Sequence, residues 1–463
     1  MPSFQTFRHR VFLGATVLAI LAAPAARAEA SNEALLKLLR ILRDRGSISA
    51  NEYDALRAAA AEEPAAAPSA PAPAEPSSVS LATRVQVLES QKAGQGTDVA
   101  VKKALAGKWY EKIGLRGYTQ FRFGTGQQTF IIRRGRLVLS GDVSHHLYLY
   151  AQSDFNGSTG AADYSLQMRD LYADIAFDRD KAFRVRLGQS KVPFGWVNMQ
   201  SSSNRAAFER PDGMNSAVEG ERDYGAYFMW APPVARQRFR DLTSLGLKGS
   251  GDYGVVAVGL YNGQGPNRAD QNGEPHTVAR WAYPFKLASG QFVELGVQAY
   301  HGTFVTATQA IVSAGSSITP SRPSDGVADQ RVGVTAVWYP QPFGIEAEWN
   351  VGRGPELSDD LTRIERRGLS GGYVQASYRR ADGGRSLFPF ARWQYYNGGR
   401  KFARNAPHLK VNELDLGLEF ARWAELELTM VYTRTFERTR TSAFPFVSTR
   451  NANRLGFQAQ WNY

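Results

Sequence analysis

Residues 454–463 end the chain as RLGFQAQWNY, in which Leu455, Phe457, Ala459, Trp461 and Tyr463 alternate with Arg454, Gly456, Gln458, Gln460 and Asn462. A side-chain period of two sends these sets to opposite faces of an extended strand. The pattern recurs upstream, where Leu426, Leu428, Met430 and Tyr432 alternate with Glu425, Glu427, Thr429 and Thr433. Leu414, Leu416, Leu418 and Phe420 likewise alternate with Glu413, Asp415, Gly417 and Glu419. Nearer the front, Leu171, Ala173 and Ile175 oppose Asp170, Tyr172 and Asp174, and Phe183, Val185 and Leu187 interleave with Arg184 and Arg186.

A soluble β-sandwich alternates in the same way. Three features favour a transmembrane antiparallel β-barrel instead. Tight turns near Ala381-Asp382-Gly383-Gly384 and Arg422-Trp423 alternate with long polar stretches over 352–368 and 397–410. Aromatics cluster at strand ends (Trp230, Trp338-Tyr339, Trp393 with Tyr395-Tyr396), and the chain stops on Tyr463. Aromatic girdles and asymmetric connections are marks of outer-membrane barrels. Seventeen candidate strands begin between residues 113 and 454, including one near 222 and one near 241. A barrel whose two ends lie on one side needs an even number, so about 16 strands are expected. The suspect region is 222–248, where Ala231-Pro232-Pro233 breaks the pattern and two candidates can be one strand plus an excursion. A lumen of that size should hold water.

The 463 residues include no cysteine, which excludes disulfides, thiolate metal sites, cysteine nucleophiles and a cysteine-linked lipid anchor. No run approaches the ~18 apolar residues of a spanning helix. At the front, Arg8 and Arg10 precede an apolar stretch over 11–23 and the small pair Ala26 and Ala28, which reads as a secretory signal peptide over 1–28. Residues 29–107 are expected to form a periplasmic helical segment. Leu35, Leu36, Leu38, Leu39, Ile41 and Leu42 suggest one helix, and Ser49 to Glu52 has the form of a capping box. The Ala/Pro-rich stretch from Pro64 to Pro76 reads as a semi-rigid spacer. The barrel domain is expected over 108–463, in the bacterial outer membrane.

The segment Arg186-Leu187-Gly188-Gln189-Ser190-Lys191-Val192-Pro193-Phe194-Gly195, with Phe208-Glu209-Arg210 downstream, resembles the phosphate-selective porin O/P family. Looser similarity lies in Arg133-Arg134, in Gly259 to Gly263 and in Leu414 to Tyr432. The resemblance implies a sixteen-stranded, usually trimeric porin with an inward-folded loop and an arginine-lined anion path. It also implies roles for particular residues. Arg133 and Arg134 match the start of the arginine ladder, Ser201, Ser202 and Arg210 match the serine pair and arginine of the constriction, and Asp170 matches a nearby acid. Asn198 stands where the family has a lysine, which weakens phosphate specificity and makes Asn198→Lys the substitution expected to strengthen phosphate block.

Physical reasoning extends this set. Fixed cations replace the hydration an anion loses in a narrow passage, and the guanidinium fork matches phosphate oxygens. If Phe183, Val185 and Leu187 face lipid, Arg184 and Arg186 face the lumen; Arg133 points away from it unless a bulge at Gly135 re-aims it. Residues 190–221 are too long for a turn and suit a constriction loop, with Lys191 and Arg205 adding positive potential. The net charge of +12 belongs, in an exported chain, with small anions and lipid phosphates and not with nucleic acid. No catalytic motif is present, and His145-His146 reads as a turn pair. The expectation is a passive anion-favouring porin for phosphate or polyphosphate, a homotrimer needing no cofactor or metal. A general or sugar/organic-acid porin is the alternative, with an outer-membrane enzyme or adhesin from other classes.

Overall fold

In the computed structural model, which describes residues 109–463 apart from 125–126, 157–164, 314 and 441–446, the period-two segments pair into one closed sheet. Asp44, Tyr53 and Asp54 are also described, each helical. The expected leader and nearly all of the expected segment over 29–107 lie outside the described residues.

In chain order the barrel strands are β1 (Ile113–Gly124), β2 (Gln127–Asp142), β3 (Leu147–Asn156), β4 (Ser165–Ala176), β5 (Phe183–Lys191) and β6 (Arg222–Trp230). There follow β7 (Val256–Tyr261), β8 (His276–Lys286), β9 (Phe292–Phe304), β10 (Val327–Trp338) and β11 (Phe343–Leu357). The last are β12 (Ile364–Tyr378, resumed at Arg380–Asp382), β13 (Arg385–Gly399), β14 (His408–Trp423), β15 (Leu426–Arg440) and β16 (Val447–Asn462). Each pairs antiparallel with the next, and β16 pairs with β1, Trp461 opposite Thr119, so the barrel closes at sixteen strands. The carboxy-terminal residue seals the seam: Gly117 N donates to Tyr463 O at 2.6 Å and Tyr463 N to Gly117 O at 3.0 Å. No open edge remains, which is the condition for strands in lipid.

The distribution of polarity is inside out. Along β14, Leu416 is 47% exposed while Asp415 is 3% exposed. Charged and amide side chains line the interior, and the apolar half of each strand forms the outer wall. A sandwich buries the opposite face. Among the described residues no helix is long and apolar enough to cross a membrane.

Three α-helices are described: α1 (Trp196–Met199) and α2 (Asp212–Asn215), both between β5 and β6, and α3 (Pro233–Ser244) between β6 and β7. The candidate strand near 241 is therefore helix. Pro233 at the first helical position sets its start, and Ala235, Phe239 and Leu242, spaced four then three, bury one face. The stretch over 352–368 is mostly strand and that over 397–410 is strand at both ends, since pairing continues to Leu357 opposite Ile364 and Gly399 opposite His408. Arg367 braces the first of these hairpins through Glu365 at 2.6 Å and Asp359 at 2.8 Å. His145 and His146 lie in the β2–β3 turn.

Both ends of the barrel sequence lie at the end of the short turns (the turn end); the opposite end carries the longer connections (the loop end). Residues 192–221 enter the lumen from the loop end, and 231–255 enter from the turn end. They share an apolar core with the inner wall of β6–β12, built around Phe194, Trp196, Met214, Phe239, Tyr300 and Tyr339. The two inserts touch, Gln200 Nε2 donating to Lys248 O at 2.7 Å. Part of the expected watery lumen is thus protein.

Candidate anion path

The constriction loop is built by close backbone approaches. Gly195 has φ 85°, and a Cβ there would stand 2.7 Å from Met214 Cε. A Cβ on Gly213 would lie 2.6 Å from Gly372 N, so α2 seats on a strand that presents only Gly371 and Gly372. Glu348 on β11 anchors α1 by accepting from Trp196 N at 2.5 Å and Val197 N at 2.9 Å.

From α1 the chain crosses to the opposite wall. Ser202 Oγ lies 2.6 Å from Tyr118 Oη and accepts from Arg136 at 2.7 Å, and Ser202 O accepts from Gln120 at 3.0 Å. Gln460 donates to Ser203 O at 3.1 Å, and Ala206 and Ala207 pack on Phe388, Phe390 and Val431. This crossing separates two chambers. The turn-end chamber, about 470 Å³, is lined by nine basic side chains, among them Arg116, Arg136, Arg184, Arg186, Lys191 and Arg222, against four acids, Asp142, Asp170, Asp174 and Asp252. The loop-end chamber, about 380 Å³, balances Arg210, Arg400, Arg450 and Arg454 against Glu209, Asp212, Glu413 and Glu437.

Two acids of the loop organise the cations between the chambers. Glu209 meets Arg122 at 2.6 Å, Arg133 at 3.1 Å and Arg134 at 3.3 Å. Glu221 meets Arg210 at 3.1 Å, Lys191 at 3.5 Å, Arg205 at 3.7 Å and also Arg222. Burial raises both carboxyls, but Arg134 and Arg122 on Glu209, and Arg210 and Lys191 on Glu221, hold them well below the usual carboxylate range. Both acids therefore stay ionised at any ordinary pH.

Each residue expected from sequence has a definite place. Arg133 and Arg134 both reach Glu209; Arg133 does so because the bulge falls on Arg133 itself, where the register steps from Gln120 opposite Arg134 to Phe121 opposite Ile132, and not on Gly135. Asp170 accepts two bonds from Arg222, at 2.9 and 2.8 Å. Arg184 pairs with Asp252 at 2.7 Å. Arg186 forks onto Asp174 at 2.7 and 2.9 Å and stacks 3.9 Å over the Tyr172 ring. Lys191 donates to Met199 O and Gln200 O. Ser201 Oγ faces Ser203 Oγ at 2.8 Å, while Ser202 and Arg210 hold the crossing. Arg133, Arg134, Ser202 and Arg210 thus gather at the crossing; Asp170, Arg184, Arg186, Lys191 and Ser201 face the turn-end chamber. Asn198, in the lysine's place, is fully buried: its amide donates to Phe194 O and Met214 O, and its Oδ1 accepts from Arg210.

Sequence reasoning missed the two loop counter-ions. Glu209 and Glu221 precede Arg210 and Arg222, a pattern that points to charge pairing only once the loop is known to fold inward. It also missed Arg122, Arg222 and Asp252, and it gave Arg205 only a share in the positive potential of the loop. Arg205 is buried, and its Nε and Nη1 have no hydrogen-bond partner.

A sixteen-stranded barrel with an inward loop and a cationic interior is now complete on structural grounds, and the family model for phosphate-selective porin O and P matches residues 115–463. The chain belongs to that family. As a phosphate-selective porin O and P family member it is a bacterial outer-membrane channel, and both family and fold point to a channel rather than an enzyme. No curated protein sequence matches it. Solved structures share the fold at low identity. OmpF of Salmonella typhi in complex with daunomycin is 12% identical over 76% of this chain and 97% of its own, with TM-score 0.50. The outer membrane channel DcaP of Acinetobacter baumannii is 14% identical over 76% and 97%, with TM-score 0.47. An anion-selective porin from Comamonas acidovorans is 11% identical over 76% and 99%, with TM-score 0.43.

Proposed function

We propose that this porin is a passive channel favouring anions, with phosphate and polyphosphate among its solutes. The carrying observation is the turn-end chamber, whose nine basic side chains outnumber its four acids. An anion leaving the crossing toward the periplasm enters a field of excess positive charge, which raises its local concentration. Arg133, Arg134 and Arg210, with Ser202, form the narrow part of the path; Asp170, Arg184, Arg186 and Lys191, with Ser201, line the chamber behind it. Arg205 offers two unsatisfied buried donors beside Glu221, the kind of group an oxyanion satisfies.

A second reading, a general or organic-acid porin without phosphate specificity, draws support from the pairing of the arginines: Glu209 and Glu221 neutralise much of the ladder. Reversal potential across a planar bilayer in a tenfold KCl gradient separates these readings from a cation channel, and the strength of phosphate block on chloride current separates them from each other. A preference for potassium refutes anion selectivity. The reading further takes residues 1–28 as a cleaved leader, 29–107 as a periplasmic segment and the working assembly as a homotrimer.

A further inference from the structure

On the outer wall near the loop end, Arg353 of β11, Arg366 of β12, Lys410 of β14 and Arg434 and Arg438 of β15 are exposed. None has a hydrogen-bond or ion-pair partner among the described residues. Strand alternation puts all five on the lipid-facing side, with Val351, Leu414 and Phe436. The acids of the same strands, Glu365, Glu413, Asp415 and Glu437, lie on the luminal face, where each holds a luminal cation or hydroxyl. Lys410 stands directly opposite Arg438 in the β14–β15 ladder. Like charges at such a cross-strand position are destabilising, so an anion between them removes a penalty that nothing in the chain removes. Trp349, Trp393 and Tyr395 stack on the same outer wall at 6.1–6.4 Å between ring centres, the aromatic belt that marks the headgroup level. Around the barrel, outward positions on β1–β5 such as Phe121, Leu139, Leu149, Leu171 and Leu187 are apolar, so the cations are confined to one sector.

We propose that the loop-end outer wall of β11–β15 is a binding surface for the phosphate groups of phosphorylated lipid headgroups in the leaflet at that end. A cationic stripe above an aromatic belt fits an anionic headgroup whose acyl chains lie along the apolar wall. A second copy of this chain fits less well, because no acid on a described strand faces outward at the loop end to meet it. The proposal is independent of what passes through the lumen.

The test uses the full-length protein purified in detergent and diphosphorylated lipid A as probe, with native mass spectrometry counting bound lipid. Wild type should retain lipid A but not phosphatidylcholine, and millimolar inorganic pyrophosphate should not displace it. The triple variant Lys410→Gln/Arg434→Gln/Arg438→Gln should bind lipid A about tenfold or more weakly with unchanged single-channel conductance, since these side chains lie outside the lumen. The charge-preserving variant Lys410→Arg/Arg434→Lys/Arg438→Lys should bind as wild type does. Undiminished binding by the glutamine variant, loss of binding by the charge-preserving one, or displacement by pyrophosphate would overturn the proposal. The chain has no cysteine, so Arg434→Cys carries a unique thiol; cross-linking of copies through it in lipid A-containing vesicles would assign the stripe to a protein interface and equally overturn it.

Discussion

Glu209→Gln should make the channel several-fold more selective for anions. Glu209 is the shared counter-ion of Arg122, Arg133 and Arg134, and its side chain is 51% exposed because it lines the loop-end chamber. Glutamine keeps the shape and can still accept from Arg122, so the loop has no steric reason to move, while one negative charge leaves the path. An anion passing about 7 Å away gains roughly 0.6 kcal/mol if water-like dielectric governs and roughly 2.4 kcal/mol at an effective dielectric of 20. Counter-ions screen the wetter limit, so about 1 kcal/mol is the working figure, gained by the anion and lost by the cation, which makes about fivefold the lower bound for the rise in the chloride-to-potassium permeability ratio. Reversal potentials in a tenfold KCl gradient, taken at 0.1 M and again at 1 M on the high-salt side, measure both the change and its screening. A heat-modifiable band on electrophoresis certifies the fold. An unchanged ratio in the folded variant would mean that ions do not pass this carboxylate, and a shift toward potassium would refute the electrostatic account altogether.

Replacing Arg133, Arg134 and Arg210 together by alanine should lower or reverse anion preference in the same assay, because Glu209 and Glu221 then keep their charge with fewer partners. Asn198→Lys, which sequence alone nominates for strengthening phosphate block, should fail to do so. The buried site takes the ammonium out of the lumen, removes the acceptor of Arg210 and costs about 1–3 kcal/mol, read as a lower melting temperature with no gain in block. Burial, then Glu413 and Glu437, raise the Asp212 carboxyl to about 6; as pH falls through that value the loop-end chamber loses a negative charge, so anion selectivity should rise between pH 7.5 and 5, and Asp212→Asn should remove the step. Deleting Trp461 to Tyr463 removes the β16 partners of Thr119 and Leu426 and the two Tyr463 backbone bonds to Gly117; the truncated chain should lose heat-modifiability, and normal insertion would contradict the seam described above.

The barrel was legible because lipid on one side and polar lumen on the other leave a strict period of two, which Leu414 to Phe420 and Arg454 to Tyr463 display without interruption. Even the miscounted strand was visible as a fault, since Ala231-Pro232-Pro233 broke the pattern where α3 begins. What fills the lumen was not legible. Phe194, Trp196, Phe239 and Leu242 read as scattered apolar residues, because the surface they bury against belongs to strands up to about 150 residues away, as Trp196 to Glu348 illustrates. The bulge that re-aims Arg133 lies two positions from the Gly135 that sequence nominates, because it depends on the partner strand rather than on the residues themselves. Glu209 and Glu221 were the other blind spot: an arginine ladder reads the same whether or not a loop acid answers it.

The contact between Gln200 and Lys248 joins inserts that enter from opposite mouths, yet both belong to the stretch flanking a single strand, β6. Their meeting spans 48 positions, whereas the final seam between Thr119 and Trp461 spans 342. Local partners find one another sooner than distant ones. The link between the inserts can accordingly close while the staves of the cask are still open, whereas the surface they bury on is completed only when Tyr300, Tyr339 and Tyr373 arrive. The last hoop is therefore drawn around two plugs already tied to each other but not yet fully covered.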